Sequence, residues 1–363
     1  MIRLTVPLIE EDDLEAVRDA LVSGYLVQGR HVAAFEAAIA ERTGARHAVV
    51  ASSGTAALHL ALLALGLGPG SRVAVPAYSF NATANVVELI GGTPVFVDID
   101  PDTYAMDPDA LERAHGLGAL DAVMPVHPFG HVADMAGLAG AAPGVPVVED
   151  AAAALGARLD GTAAGAFGIA GCFSFHPRKI LTTGEGGAIT TDDTGLDRRL
   201  RALRNHGLDP LAAAPDFMIA GLNYRMTDVQ AAMGVTQMGK LDRIIEGRRA
   251  AAERYDALLV GTPVARPNTA AGAAPVWQSY VTMLPAGVDR DALIPHLRGL
   301  GVEVQIGTYH MPLTTHFRAT YGFARGDFPG TDAVADRGLA LPLSPTITAN
   351  EQAVVVERLL GAL

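Results

Sequence analysis

Cysteine is nearly absent from the 363 residues, since Cys172 is the only one. A single thiol excludes an intrachain disulfide framework and a cysteine-based zinc cluster. Because Cys172 lies in a predicted strand, we expect it to be a small buried hydrophobe. Basic residues are also scarce, because 39 acidic against 27 basic residues give a net charge of −12. This charge repels a phosphate backbone on average, so we expect no nucleic-acid partner.

Long apolar runs are missing as well. The longest, Ala56–Leu67, is interrupted by His59 and is too short to span a bilayer. The first residues, Met1–Leu14, include Arg3 and several acids and lack the apolar core of a signal peptide. Half of all residues are hydrophobic and 18% are charged, a composition that can bury a sizeable core. We therefore expect a soluble, cytoplasmic protein without a membrane partner.

Short β-branched runs alternate with helical stretches between residues 47 and 191. This alternation predicts crossover connections and a mostly parallel sheet with helices on both faces, an α/β fold. The predicted strands are His47–Ala51, Arg72–Ala77, Pro94–Ile99, Ala122–His127, Val145–Glu149, Gly168–Phe175 and Ala188–Thr191. The predicted helices between them are Thr55–Leu65, Asn81–Ile90, Asp107–Ala114 and a short one near Ala133–Leu138.

The pattern changes after about residue 230. Lys240–Leu259 has the spacing and charge of a long surface helix, and Gly261–Val276 is rich in the residues typical of a linker or long loop. A large domain over residues 1–245 and a smaller C-terminal α+β domain over 246–363 follow from this change. The elements predicted in the smaller domain are a strand at Val276–Leu284 and helices at Arg290–Gly299 and Glu351–Leu359.

Polar residues collect where predicted strands end, which is where such sheets bind ligands. The segment Ser52–Ala57 precedes a helix, so its N–H groups and glycine suit a phosphate, but an ordinary helix cap has the same composition. Glu149 and Asp150 end an apolar strand, and a buried carboxylate there must be paired. Such a carboxylate can ligate a metal, cap a helix or hold a protonated ring nitrogen.

The segment Phe173–Gly187 is the richest in chemical groups. Lys179 lies just past a strand among proline and glycine residues. A lysine in such a pocket can lower its pKa by desolvation and act as an amine nucleophile, whereas most loop lysines are simply solvated. A metal site is not favoured, because Pro128 between His127 and His131 prevents the helix that would direct both rings inward.

Together these segments resemble the DegT/DnrJ/EryC1/StrS family of pyridoxal-phosphate-dependent sugar aminotransferases over nearly the whole chain. The matching segments are SGTAALHLAL (53–62), PAYSFNATAN (76–85), VFVDID (95–100), VEDAAAALGA (148–157), SFHPRKILTTGEGG (174–187), LRNHG (203–207), GLNYRMTDVQAAMG (221–234) and LALPLSPTIT (339–348). The resemblance implies a fold type I transferase that binds pyridoxal 5′-phosphate and works as a homodimer with composite active sites.

The resemblance also implies roles for individual residues. Lys179 would form the internal aldimine with the cofactor and later move protons, while Asp150 would pair with the pyridinium nitrogen and keep it protonated. Phe80 would stack on the cofactor ring. The residues that would bind the cofactor phosphate are Gly54, Thr55, Ser174 and, from a second subunit, Asn223.

One position departs from the family. Ala153 stands where members usually carry Gln or His against the cofactor's phenolic oxygen, so water or another side chain would replace that contact. His176 would assist protonation or touch substrate, or else be structural. Arg225 suits a substrate anion or a structural ion pair. Tyr309 and His310 would contact the sugar or the nucleotide phosphates, or else one is in the core and the other solvated.

The implied reaction moves an amino group from an amino acid, glutamate by resemblance, to a keto group of a nucleotide-linked deoxysugar. Amination of a cyclitol remains an alternative, because nothing in the sequence reads the nucleotide directly. Sugar dehydration is another, but dehydratases of this type replace the lysine with histidine and this chain retains Lys179. A non-catalytic regulator would show a decayed centre or an added effector domain, and only Ala153 departs in that direction.

Overall fold

Hydrogen-bonded helices and strands account for most of the chain, and the structure, a computed structural model, describes every residue from Met1 to Leu363. The helices are α1 (Glu11–Ser23), α2 (Arg30–Thr43), α3 (Gly54–Ala64), α4 (Ala82–Leu89), α5 (Pro108–Gly116), α6 (Met135–Ala141), α7 (Thr194–Arg204), α8 (Asp228–Gly239), α9 (Leu241–Leu258), α10 (Arg290–Gly299), α11 (Thr315–Tyr321), α12 (Pro329–Ala335) and α13 (Ala349–Gly361).

The strands, most of them short, number fifteen. They are β1 (His47–Ala51), β2 (Arg72–Pro76), β3 (Tyr78–Ser79), β4 (Thr93–Val97), β5 (Ala122–Val123), β6 (Val148–Asp150), β7 (Arg158–Leu159), β8 (Thr162–Ala163), β9 (Ala170–Ser174), β10 (Gly187–Thr191), β11 (Ala273–Ala274), β12 (Tyr280–Met283), β13 (Gln305–Ile306), β14 (Tyr309–His310) and β15 (Gly338–Leu341).

Seven of these strands line up across the large part of the molecule. Four lie in the order β1-β10-β9-β6, and three in the order β4-β2-β5. Parallel bridges from Val123 to Val147 and from Val126 to Asp150 join the two groups between β5 and β6. Only β10 runs against the other six strands. The mostly parallel sheet of an α/β fold is therefore confirmed.

Both faces of this sheet are buried, as β1 illustrates. Ala48 and Val50 belong to one apolar cluster, which includes residues of α2, α5 and α6. Val49 and Ala51, which point the other way, belong to a second cluster, which includes residues of α3, α4 and α7. Burial on two faces explains why such strands are continuous apolar runs. Cys172 is buried in the second cluster, as the sequence predicts.

The C-terminal part has its own antiparallel sheet, in the order β12-β15-β13. Helix α9 connects the two parts, because its residue Ile244 packs in the first large cluster and Tyr255 packs in the C-terminal one. The proposed boundary at residue 245 falls inside this helix and stays a prediction. Ile2 pairs with Val302, so the N-terminal residues lie against the C-terminal part. None of the helices is both long and apolar enough for a membrane span.

Several strand ends differ from the sequence-based expectation, and two of them bear on the cavity described below. Strand β6 extends to Asp150, so this carboxylate lies within the sheet and not after it. Strand β12 begins only at Tyr280, because the chain turns at Trp277, which has a φ of 53°. A residue in the left-handed backbone conformation interrupts a strand, and no sequence pattern predicts this conformation for a tryptophan.

Glu149 anchors the loop that leads into β9, and its side chain is completely buried. His127 Nδ1 accepts the N–H of Ala133, so His127 Nε2 carries the proton and donates to Glu149 at 2.9 Å. Three main-chain N–H groups complete the shell, each 2.7 Å from a carboxylate oxygen: those of Gly165, Phe167 and Gly168. Glu149 therefore has a structural role.

Replacing Glu149 with Gln places an NH2 group among N–H donors that need an acceptor. We expect Glu149→Gln to lower the free energy of unfolding by about 3 kcal/mol, measured by urea unfolding at pH 7. The exposed Glu41 provides a matched control, since Glu41→Gln should change stability by less than about 0.5 kcal/mol. Equal stability of the two variants would contradict this role.

Candidate active site

A cavity of about 550 Å³ lies beyond the carboxyl ends of β1, β2, β6 and β9. Most of the residues singled out from the sequence line it: Gly54, Thr55, Phe80, Asp150, Ala153, Ser174, His176, Lys179 and Tyr309. Three others do not: Asn223, Arg225 and His310. The fold thus gathers residues that lie up to 255 positions apart, from Gly54 to Tyr309.

Lys179 lies in the loop between β9 and β10, which is closed on itself. The N–H of Phe175 donates to the carbonyl of Gly186 at 2.9 Å, and the N–H of Thr183 donates to the carbonyl of Phe175 at 3.0 Å. Within the loop, the N–H of Lys179 donates to the carbonyl of His176 at 2.8 Å. These bonds fix the backbone from which the Lys179 side chain enters the cavity.

The chain contains only two lysines, and their surroundings differ. The amine of Lys240 is 2.5 Å from Asp12 and 2.6 Å from Asp13, so it is committed to ion pairs. The amine of Lys179 makes no hydrogen bond or ion pair within the chain. It is the one lysine amine available for chemistry.

The environment of Lys179 favours its neutral form. Burial lowers the pKa of Lys179, and the charge of Asp150 opposes this shift while that of Arg178 adds to it. A neutral amine can act as a nucleophile and as a proton acceptor, which a fully protonated one cannot.

Asp150 is buried at the cavity wall and is oriented by two donors. The hydroxyl of Thr83 donates to its Oδ2 at 2.7 Å, and the N–H of Ala152 donates to its Oδ1 at 3.2 Å. Each oxygen retains a lone pair for a further donor, as pairing with a protonated ring nitrogen requires. Sequence reasoning missed Thr83, because a threonine in the first turn of α4 gives no signal of its own.

The start of α3 forms a cradle suited to a phosphate. Ser53 caps the helix by accepting the N–H of Ala56, so the N–H groups of Gly54 and Thr55 have no acceptor within the helix. The hydroxyl of Ser174 is also without a partner. A Cβ atom on Gly54 would lie 2.7 Å from Ser174 Cβ, so only glycine allows this approach.

Aromatic side chains border the cavity. The ring of Phe80 is 62% exposed, and its centroid is 6.1 Å from that of Tyr309. Successive residues of a strand point to opposite sides, so His310 faces away and its Nε2 lies 3.2 Å from Asp332. Within one chain, His310 therefore stands behind the cavity wall and not at the substrate position that the resemblance implies for it, whereas Tyr309 is exposed at the cavity.

Asn223 and Arg225 lie outside the cavity of their own chain. Asn223 is exposed and pairs through its backbone with Asn205. Arg225 Nη1 donates to the side-chain oxygen of Asn205 at 2.7 Å. Arg225 therefore has a structural partner within the chain. That partner is the neutral amide of Asn205, whereas the structural alternative expected from the sequence was an ion pair with an acid.

His176 and Ala153 both line the cavity. Burial lowers the pKa of His176, an effect that Glu185 opposes. The N–H of Arg178 donates to His176 Nδ1 at 3.2 Å, so the neutral ring carries its proton on Nε2. The methyl group of Ala153 offers no hydrogen bond at its position.

Two glutamines from the C-terminal part, Gln278 and Gln305, also line the cavity, and the sequence predicted a role for neither of them. Gln278 Nε2 donates to the carbonyl of Arg178 at 2.8 Å, and Arg178 Nη1 donates to Gln305 Oε1 at 3.1 Å. No local pattern reveals them, since each meets the lysine loop from at least 100 positions away.

The chain is similar over nearly its whole length to known proteins of one family. A profile of the DegT/DnrJ/EryC1/StrS aminotransferase family matches residues 7–360. GDP-perosamine synthase of Caulobacter vibrioides is 36% identical over 370 residues, which cover 100% of this chain and 97% of that protein. The pleiotropic regulatory protein of Geobacillus stearothermophilus is 34% identical over 360 residues, which cover 97% of this chain and 94% of that protein.

Solved structures of aminotransferases also match this chain over nearly its whole length. A Streptococcus pneumoniae protein described as a sugar aminotransferase, solved in its PLP form, superposes with a TM-score of 0.93 at 27% identity. The match covers 99% of this chain and 98% of that one. Aminotransferase TlmJ of Streptoalloteichus hindustanus gives a TM-score of 0.91 at 32% identity, covering 100% of this chain and 98% of that one.

A methyl group at position 54 should close the phosphate cradle. We expect Gly54→Ala to weaken the binding of pyridoxal phosphate by about tenfold or more, because the new Cβ overlaps Ser174 and displaces the first turn of α3. Absorbance titration of the cofactor-free chain measures this. Gly140→Ala is the control, since a Cβ there meets nothing within 4 Å. Equal affinity of the two variants would contradict the cradle.

Proposed function

The chain belongs to the DegT/DnrJ/EryC1/StrS aminotransferase family as a pyridoxal-phosphate-dependent sugar transaminase, and we propose that it carries an amino group from glutamate to a keto group of a nucleotide-linked deoxysugar. The observation that carries the proposal is the unpaired amine of Lys179 in one cavity with Asp150. The nucleotide linkage is supported by the name of the Caulobacter relative, GDP-perosamine synthase, which aligns with the whole chain.

The polar groups of the cavity fit the cofactor. Gly54 and Thr55 offer N–H groups and Ser174 a hydroxyl to its phosphate, and the exposed face of Phe80 suits its ring. When bound, pyridoxal phosphate supplies a carbonyl that carries the amino group in transit and a ring that withdraws electrons from the reacting carbon.

Lys179 moves protons during the reaction, whereas Asp150 holds one in place. Lys179, with its lowered pKa, accepts the proton from the donor's α-carbon and later delivers a proton to the sugar carbon. Asp150, held by the hydroxyl of Thr83, keeps a proton on the ring nitrogen. In the net reaction glutamate becomes a 2-oxo acid, and the sugar ketone becomes an amine.

A second copy of the chain completes the proposed site. Asn223 is exposed and lies outside its own cavity. Close to it in sequence, Thr227 pairs with Val27, and the stretch Tyr25–Val27 leaves large apolar side chains exposed, with Tyr25 at 78%. Exposed apolar surface beside a polar residue is typical of an interface. We propose a homodimer in which Asn223 reaches the partner's phosphate cradle.

Two other functions use the same scaffold. A cyclitol ketone would need the same lysine and carboxylate, and it remains the alternative acceptor. A regulatory role is favoured by one observation, the name of the Geobacillus relative. A regulator without catalysis would have no use for an unpaired amine in one cavity with Asp150, so we rank this role below catalysis.

Turnover tests the choice of acceptor. With pyridoxal phosphate and glutamate, we expect amination of a GDP-linked or other nucleotide-linked ketosugar, detected by mass spectrometry of the aminosugar. The free ketosugar should react far more slowly, because it lacks the binding energy of the nucleotide. Lys179→Ala should lose about 10³-fold or more in turnover. Preferential amination of a keto-cyclitol would contradict the proposal, as would unchanged turnover in Lys179→Ala.

Mixed dimers test the composite site. Lys179→Ala and Asn223→Asp should each be nearly inactive alone, the second because its carboxylate repels the phosphate. After the two variants are unfolded together and refolded, half of the dimers are mixed and each has one intact site. Activity should therefore return to about one quarter of the wild-type value. Failure of the mixture to regain activity would contradict sharing between subunits.

A further inference from the structure

We infer that Gln278 is a positioning residue for Lys179, and that Arg248 fixes the turn from which Gln278 projects. The inference rests on the proposed role of Lys179. Gln278 Nε2 donates to the carbonyl of Arg178, which belongs to the peptide group that begins Lys179. Gln278 Oε1 accepts the hydroxyl of Ser279 at 3.1 Å. Both ends of the Gln278 amide are thus engaged within the protein, which fixes its orientation.

Arg248 is a buried cation that has no acid partner. Its Nη1 donates to the carbonyls of Trp277 and Gln278 at 3.2 and 3.0 Å, with the carbonyl of Leu343 at 3.4 Å, and its Nη2 donates to the hydroxyl of Thr5 at 3.3 Å. Burial lowers the pKa of Arg248 to about 10, so the side chain stays charged near neutral pH. Hydrogen bonds from a charged donor are stronger than neutral ones, and here they hold main-chain oxygens of one turn.

That turn is both strained and enclosed. Trp277 has a φ of 53°, a conformation that a residue with a large side chain rarely adopts without external support. The N–H of Val276 donates to the carbonyl of Gly130 at 3.0 Å, and a Cβ on Gly130 would lie 2.8 Å from the nitrogen of Gln278. The strained backbone of Trp277 is held by these contacts and by Arg248. We take the strain as a sign that Gln278, the next residue, must occupy this one position beside the cavity.

The position matters because Lys179 lies among charged groups. Asp150 faces it from β6, and Arg178, His176 and Glu185 belong to its own loop. The other titratable side chains that line the cavity are Tyr78 of β3, His127 and Tyr309 of β14. Without the Gln278 donor, the peptide group before Lys179 can relax. The amine of Lys179 can then move out of its position in the cavity toward solvent. Since burial lowers the pKa of Lys179, release should raise that pKa toward the ordinary range for lysine.

Amine labelling of the cofactor-free chain tests this directly. Acetic anhydride labelling across pH, followed by peptide mass spectrometry, gives the midpoint for Lys179, with Lys240 as the second lysine in the same sample. Gln278→Met preserves the length of the side chain and removes the donor. We expect the Lys179 midpoint to rise by about 0.5 pH unit or more. The kcat should fall about tenfold while the sugar KM changes little, because the lysine is misplaced.

Gln352→Met is the matched control. Gln352 Nε2 also donates to a main-chain carbonyl, that of Ala251 at 2.7 Å, but in the C-terminal cluster away from the cavity. This variant should lower Tm and leave the Lys179 midpoint unchanged, whereas Arg248→Lys, which loses the planar fork, should raise the midpoint. An unchanged midpoint in Gln278→Met or in Arg248→Lys overturns the inference, and so does an equal rise in Gln352→Met. Labelling needs neither cofactor nor sugar, so its result is independent of which acceptor is aminated.

Discussion

A half-buried amine that forms no ion pair within the chain is the feature on which this site depends. Lys240 shows what the same side chain does elsewhere, since contacts with Asp12 and Asp13 leave it charged and unreactive. Lys179 lines the cavity without a hydrogen-bonded acid, and burial lowers its pKa even though the charge of Asp150 opposes the shift. The same fold thus produces one structural and one chemical lysine, and the difference lies in which carboxylates can reach each amine.

Close approach of main-chain segments builds the rest of the site around this amine. Gly54 allows the start of α3 to touch Ser174, and a Cβ on Gly187 would overlap the carbonyl of Ser53. The strands that frame the lysine loop and the helix that offers N–H groups to a phosphate therefore pack directly against each other. Since the cradle is part of the sheet packing, a change in one of these glycines affects fold and binding together.

Local patterns predicted the alternation of strands and helices between residues 47 and 191, and contacts between distant segments were beyond their reach. The strand His47–Ala51 and the helix Arg290–Gly299 have the bounds expected from the sequence. By contrast, no pattern near Gln278 indicates that it meets the lysine loop. The resemblance alone leaves open whether His310 reaches the substrate, because β14 has only two residues and its pairing with β3, which directs His310 away from the cavity, has no local signal.

Reductive trapping is the most direct measurement of the central claim that Lys179 is the amine that engages the cofactor. Sodium borohydride is added to the protein with pyridoxal phosphate, and the digested chain is mapped by mass spectrometry. The account predicts a pyridoxyl group on the peptide that contains Lys179 and none on the peptide that contains Lys240. A group on Lys240, or unmodified lysines in both peptides, would contradict it.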